Sequence, residues 1–467
     1  MSATKRRVRV SVAAVGAVVL VAACGSGDGG GDGGGEAGPL TVWTLENLPD
    51  RVAAQEEIAA AFTESSGVEV ELVPIDPNQF NQLLTSSAAA GELPDVVGAL
   101  PPAGVYALST NELIDPDAAT AVVEELGADT FSERALELTS DGGTQLAVPS
   151  DGWAQLLVYR QDLFDAAGLP APQTYEDILA AAQALDSVEL AGFTGATVPN
   201  DAFTQQTFEH LALGNGCQMV DDEGQITLDS DECVTAFDFY DQLITQYSVP
   251  GAQDVDTTRA AYFAGQSAMV VWSSFILDEM AGLRADALPT CPECAADPAY
   301  LARNSGVVTA IAGPDGDEPA QFGEVVSWAV TADAQTDAAT QFVTYMMEDG
   351  YEQWIAFAPE GKVPARQGTA DEPTRFVDAW ATMPAGVDTR APLSDFYSAE
   401  VLESLRTSTE SISSWGIPQG QGALVGAALG ELPVPQAIAA MTGGEVDPPG
   451  AAQQAAEALR EIATSLD

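Results

Sequence analysis

Beyond residue 39 the chain alternates short apolar runs with longer stretches of helical spacing. Leu40-Thr41-Val42-Trp43-Thr44 reads as a buried strand. A helix follows, capped by Asp50 and running to about Ser66, with Ala54, Ile58, Ala61 and Phe62 on its inner side and Gly67 as its stop. Val68-Glu69-Val70-Glu71-Leu72 alternates with period two, as a strand does. Phe80 to Ala90 is helical, Gly91 ends it, and Asp95 to Ala99 is another strand. This strand–helix–strand–helix–strand order predicts an α/β fold, a parallel sheet with helices on both faces. A ligand site in such a sheet lies outside the carboxyl ends of the strands.

Leu146 to Pro149 and Gln155 to Tyr159 read as two further strands. Helices then dominate: Tyr175 to Leu185, Asp201 to Leu213, Val234 to Tyr247, and Thr257 to Ala264 with Asp256 as its cap. Ala268 to Trp272, Gly306 to Ile311 and Glu324 to Val330 are later strands, and Asp447-Pro448 opens a last helix through about Leu466.

The first 39 residues follow another pattern. Lys5, Arg6, Arg7 and Arg9 precede an apolar run from Val10 to Ala23, and Val21-Ala22-Ala23-Cys24-Gly25 closes it with small residues. The run is shorter than the roughly 20 apolar residues a membrane span needs, and its flanks are those of a processed signal. The segment resembles the lipobox of bacterial lipoproteins. That resemblance implies that residues 1–24 are a lipoprotein signal peptide and that Cys24 is diacylated and becomes the mature N-terminus. Residues 25–39 hold mostly Gly, Asp and Glu and form a flexible tether with a mean span of roughly 20 Å. An incidental Cys24 behind an ordinary signal peptide is the plain alternative.

The chain has 467 residues, enough for two or three domains, with 46% apolar residues. Its charge is unusual: 70 acidic against 16 basic side chains, a net −54, and four of the basic residues lie in the leader. Such a surface repels phosphates, so a nucleic-acid partner is excluded and the membrane is reached through the lipid anchor only. Solubility in a saline habitat accounts for the charge, and a long-range preference for cationic or neutral ligands is the alternative. Besides Cys24 there are Cys217, Cys233, Cys291 and Cys294. An even number in an exported chain predicts two disulfides, and the sequence-near pairs Cys217–Cys233 and Cys291–Cys294 are the expected ones among three possible pairings. Cys291-Pro292-Glu293-Cys294 as a zinc half-site or redox pair is the competing reading. His210 is the only histidine, so zinc would lack ligands and any histidine-based catalysis would have to centre there. No cofactor or metal is expected.

Five segments in order resemble the extracellular solute-binding proteins of ABC importers, the group that includes maltose-binding and related sugar-binding proteins. They are Leu40–Thr44 with Ser65-Ser66-Gly67-Val68-Glu69-Val70; Gly91-Glu92-Leu93-Pro94-Asp95-Val96-Val97; Leu146–Pro149 with Val158–Leu169 and Pro172–Ile178; Tyr262–Trp272; and Gly361-Lys362-Val363-Pro364-Ala365-Arg366. The resemblance implies two α/β lobes of the type II periplasmic-binding-protein kind facing each other across a cleft. Lobe one is expected at 40–150 plus 300–333, lobe two at 151–299 plus 334–467. It also implies capture of a solute, a saccharide first of all, by hinge closure at the extracytoplasmic face of the cell membrane. A monomer then delivers that solute to ABC-transporter permease subunits, with no chemistry. A polyol phosphate, polyamine or peptide ligand is the alternative, and a secreted glycosidase a remoter one.

A sugar offers an apolar C–H face and a hydroxyl rim, so it calls for aromatic planes beside carboxylates or amides. Candidate ligand residues are Trp43 and Glu46 at the end of the first strand, Asp151 and Trp153 at the first crossover, and Trp272 and Phe275 after Gly265. Arg366 and Trp415, the latter in a polar loop, complete the set. Core packing is the competing reading for Trp43 and Trp272, and an ion pair for Arg366. Trp328 and Trp354 have core spacing. The segment Leu100-Pro101-Pro102-Ala103-Gly104-Val105 departs from the maltose-binding pattern and offers little beyond backbone groups.

Overall fold

A computed structural model describes residues 38–466. The leader, Cys24 and all but the end of the tether lie outside the described residues. The strands are β1 (Leu40–Thr44), β2 (Val70–Pro74), β3 (Val96–Leu100), the hairpin β4–β5 (Ser140–Asp141, Thr144–Gln145) and β6 (Val148–Arg160). Then come β7 (Met269–Ser273), β8 (Ser305–Val308), β9 (Gly323–Val330), β10 (Val363–Pro364) and the hairpin β11–β12 (Pro384–Ala385, Ala391–Pro392). The main sheet runs β10-β6-β9-β3-β1-β2, and β7 and β8 both pair with β6. β1 is parallel to β2 and β3, as the opening pattern predicts, while β9 runs antiparallel to β3 and β6.

β6 organises the molecule. Its first half, Val148 to Ala154, pairs with β9, and its second half, Gln155 to Arg160, is clasped between β7 and β8. Two strands were expected here. The structure has one, with a bulge between Pro149 and Asp151 in place of the expected break. Ser150 and Asp151 lie in the gap between the two expected strands, yet both are fully buried and partnered.

Other boundaries shift for local reasons. Helix α1 (Pro49–Ser66) starts at its proline, with Leu48 and not Asp50 at the cap position, and ends at Gly67 with φ 79°. Asp254, not Asp256, caps the helix Val255–Phe263 through a reciprocal capping box with Thr257; Asp256 pairs with Arg259 at 2.8 Å. β8 ends at Val308, and Ile311 bridges to Ala320 instead.

Two apolar cores result. One surrounds β1–β3 and β9, where Phe62 of α1 meets Phe342 edge-on at 5.2 Å and Trp328 packs on Trp354 at 4.8 Å. The helices Thr336–Met347 and Tyr351–Ala356, expected with lobe two, pack against α1 and this first core because their apolar faces, Phe342, Val343 and Trp354, cover it. The second core joins the far half of β6 to the helices Tyr175–Leu185, Ala202–Leu213 and Asp231–Tyr247 and to the last helix, Pro448–Leu466. There Tyr175 stacks on Phe239 and Phe208 packs on Phe237. Both expected disulfides, Cys217–Cys233 and Cys291–Cys294, are formed, and all four sulfurs belong to buried residues. Among the described residues no single helix is long and apolar enough to cross a membrane.

Candidate functional site

A cleft of about 670 Å³ lies where the carboxyl ends of β1 and β3 meet the middle of β6 and the start of β9. The sequence builds its walls from segment ends. Leu45 and Glu46 follow β1, Asp151 and Trp153 project from β6, Glu324 and Val326 from β9, and Phe275 follows β7. β3 turns into the cleft through a bulge in which Ala99 adopts φ 55°, a conformation few non-glycine residues take. Gly98 is needed beside it, because a Cβ there would stand 2.2 Å from the Trp328 ring. The segment 100–105, read as a loop, is the start of the helix Pro102–Thr110, and Pro101, Ala103 and Gly104 line the cleft.

The floor carries a buried ion network. Lys362 places its Nζ 2.6 Å from Glu46 Oε1 and 3.2 Å from Asp151 Oδ2, and 4.1 Å above the Trp354 ring. Trp354 Nε1 donates to Asp151 Oδ1 at 2.5 Å, and Ser150 Oγ donates to the same oxygen at 2.7 Å. Arg51 donates to Glu46 Oε2 at 2.6 Å and lies 4.8 Å over the Phe275 ring. Burial is the strongest single influence on both acids. At Asp151 it wins, and the carboxyl sits above its ordinary value despite Lys362. At Glu46 the combined pull of Arg51 and Lys362, each at 2.6 Å, outweighs it and holds the carboxyl down at about 2. Lys362 thus neutralises one side of a pair of acids brought from distant parts of the chain.

At its far end the cleft narrows into a recess of about 70 Å³. Glu324 and Gln206 sit where the two spaces join, since they line both. Glu209, Ser414, Trp415 and Phe322 line the recess proper. Glu209 Oε1 accepts the Trp415 backbone N–H at 2.6 Å, and burial pushes this carboxyl up to about 8. Burial likewise raises Glu324 to about 7.

The sequence-derived candidates separate into three groups. Glu46, Asp151, Trp153 and Phe275 line the cleft. Trp415 lines only the recess and is otherwise core, 1% exposed, with its Nε1 donating to Cys217 O at 2.9 Å. Trp43, Trp272 and Arg366 lie outside the lining. Trp43 is a buried strand residue, and Trp272 donates to Val255 O and packs beside Phe203. Arg366 is buried among carbonyls, donating to Met347 O and Leu126 O, and rests against the Phe131 and Phe376 rings. Sequence reading missed Arg51, Lys362, Glu324 and Gln206. Scarcity was the available signal for the first two: in so acidic a chain a basic residue next to an apolar segment is a prime partner for a buried carboxylate. Among the described residues no cluster of His, Cys, Asp or Glu is placed to hold a metal.

The sequence profile of the bacterial extracellular solute-binding proteins matches residues 46–353, well over half of the chain. The chain belongs to this family. Its members are binding proteins, and so is this chain; no enzyme activity is attached to the cleft. Among similar proteins, the ABC transporter periplasmic-binding protein YcjN of Escherichia coli K12 is 27% identical over 336 residues, covering 70% of this chain and 72% of its own. Two solved structures share the fold with a TM-score of 0.69 each. The GacH receptor of Streptomyces glaucescens, solved unliganded and with acarbose, is 20% identical and covers 91% of this chain and 99% of its own. A sugar transporter protein of Arthrobacter chlorophenolicus with bound laminaribiose is 18% identical with the same coverage. The solute-binding family and the two-lobed, maltose-binding-protein-like fold expected from the five segments are therefore found.

Proposed function

We propose that this solute-binding protein captures a saccharide in the cleft between β1, β3, β6 and β9 and hands it to the permease of an ABC importer. The cleft lining carries this reading: the half-buried Trp153 and Phe275 rings offer planes for a sugar's C–H face, beside Asn200, Gln82 and Glu431 for its hydroxyls. Its volume suits a small oligosaccharide. The sugar-bound relatives that share the fold support the same reading.

Capture works by closure of two lobes. Lobe one comprises 40–150 and 300–333, joined by the helices Thr336–Met347 and Tyr351–Ala356 that pack on its core; lobe two holds most of the remainder. β6 passes from one to the other, and only a closed state offers both walls to a ligand at once. Cys24, diacylated, ties the monomer to the extracytoplasmic face of the membrane, where two acyl chains give stable anchoring.

A saccharide panel read by tryptophan fluorescence and thermal unfolding tests the ligand class. A ligand at 100 times its Kd raises stability by about 2.7 kcal/mol. If every saccharide leaves both readouts unchanged while another solute moves them, the sugar reading is wrong. Anchoring is tested separately: Cys24→Ser releases the protein from membranes, and wild-type protein that fractionates with the medium refutes the anchor.

A further inference from the structure

The recess beyond Glu324 has a chemistry that a neutral sugar does not need. Two carboxylates, Glu209 and Glu324, face this space, and among the described residues lining it there is no Lys, Arg or His. Glu209 is 3% exposed and keeps its Oε2 for a distant Gln205 amide at 3.4 Å; Glu324 has only the Gln206 amide, also at 3.4 Å. Ser414 supplies an independent sign. It lines the same recess, is 8% exposed, and its hydroxyl has no hydrogen-bond partner. Two buried acceptors, Glu209 and Ser414, and the partly buried Glu324 at the mouth thus line one narrow space with no cation in its lining, and buried polar groups left unpaired are costly. A protonated primary amine has three N–H donors, one for each acceptor, and supplies the missing positive charge.

From this arrangement we infer that the recess receives a protonated amino group carried by the ligand, so that the preferred ligands are amine-bearing saccharides. The inference rests on the saccharide reading of the main cleft. A space of about 70 Å³ admits an ammonium group with its attached carbon and leaves the sugar ring in the cleft beside Trp153. Burial raises both carboxyls, and an ammonium between them restores their ionised form. The net charge of −54 draws such a ligand in at long range.

Matched ligand pairs provide the test: glucosamine with glucose, galactosamine with galactose, and the glucosamine disaccharide of chitosan with cellobiose. Each is titrated calorimetrically into wild-type protein, Glu324→Gln and Glu209→Gln, with a plain alkyl diamine alongside. The expected result is at least one aminated member binding tenfold or more tightly than its hydroxyl partner, with that advantage reduced in both variants. The melting temperature of each variant without ligand should stay level or rise, since a carboxyl that burial disfavours is replaced by a neutral amide of the same shape, which separates lost recognition from lost fold. Neutral sugars binding as tightly as their aminated partners would overturn the inference and leave the saccharide reading standing. A diamine that binds as tightly as any amino sugar would uphold the ammonium recess and end the saccharide reading. Failure of every ligand would end both.

Discussion

Replacing Lys362 by Met is the sharpest test of the buried network. Lys362 is fully buried and, among the described residues, is the only cation in salt-bridge contact with Asp151. Methionine conserves most of the volume over the Trp354 and Phe357 rings, so the perturbation is the charge. Without its cation Asp151 must take up a proton, because Trp354 and Ser150 both donate to Oδ1 and the buried Oδ2 loses its one cationic partner. From the ordinary value of 3.8, holding that proton at pH 7 costs up to about 4 kcal/mol. This agrees with the ~3–5 kcal/mol typical of breaking a buried pair from one side. Glu46 retains Arg51 at 2.6 Å and so stays ionised. Urea unfolding followed by tryptophan fluorescence at pH 7 and pH 4 reads the cost. The loss should be about 3–4 kcal/mol at pH 7 and fall to about 1 kcal/mol at pH 4, where solvent supplies the proton nearly free. Adding Asp151→Asn to Lys362→Met should recover at least half of the loss at pH 7. A pH 7 cost below about 1 kcal/mol, or the same cost at both pH values, would refute the reasoning.

Three other outcomes follow from the structure. Trp153→Ala should weaken saccharide binding tenfold or more in a calorimetric titration while shifting the unfolding midpoint little, because the ring is half-buried and touches Phe322 only edge-on. Removing the Cys217–Cys233 bridge, which spans 16 residues, by the double Ser variant should cost about 3 kcal/mol in urea unfolding under oxidising conditions. His210 is fully buried, and desolvation lowers its imidazole to about 3. A folded value below the ordinary 6.5 means that the stability it carries is present above pH 6.5 and is lost as pH falls toward 3. Unfolding measured at pH 7, 5 and 4 should show this slope, and His210→Gln should flatten it.

How much was legible depended on whether a residue's fate is decided locally. The elements from β1 to β3 follow from period and stop signals within a few residues, and they came out in the right order with parallel pairing. The five family-like segments carried the fold. The break read into β6 was wrong because Ser150 and Asp151 look like surface residues, and the partner that permits their burial lies 211 residues away at Lys362. The tryptophans show the same limit. Trp153 and Trp415 both sit among small polar neighbours, yet one lines the cleft and the other fills the second core against Phe208. Arg366 and Lys362 share one short motif. Sequence favoured the arginine, but the structure turns it toward the carbonyls of Leu126 and Met347 and sets the lysine beneath the cleft, against the lining acids Glu46 and Asp151.

The chain has only two lysines, Lys5 in the leader and Lys362 beneath the cleft. In a protein lacking residues 1–24, a reagent that acylates ε-amines finds none on the folded exterior, however long the exposure. Its one internal target becomes accessible only when the protein opens, so acylation at that position turns the native molecule into its own clock for opening, without a mutation or a dye.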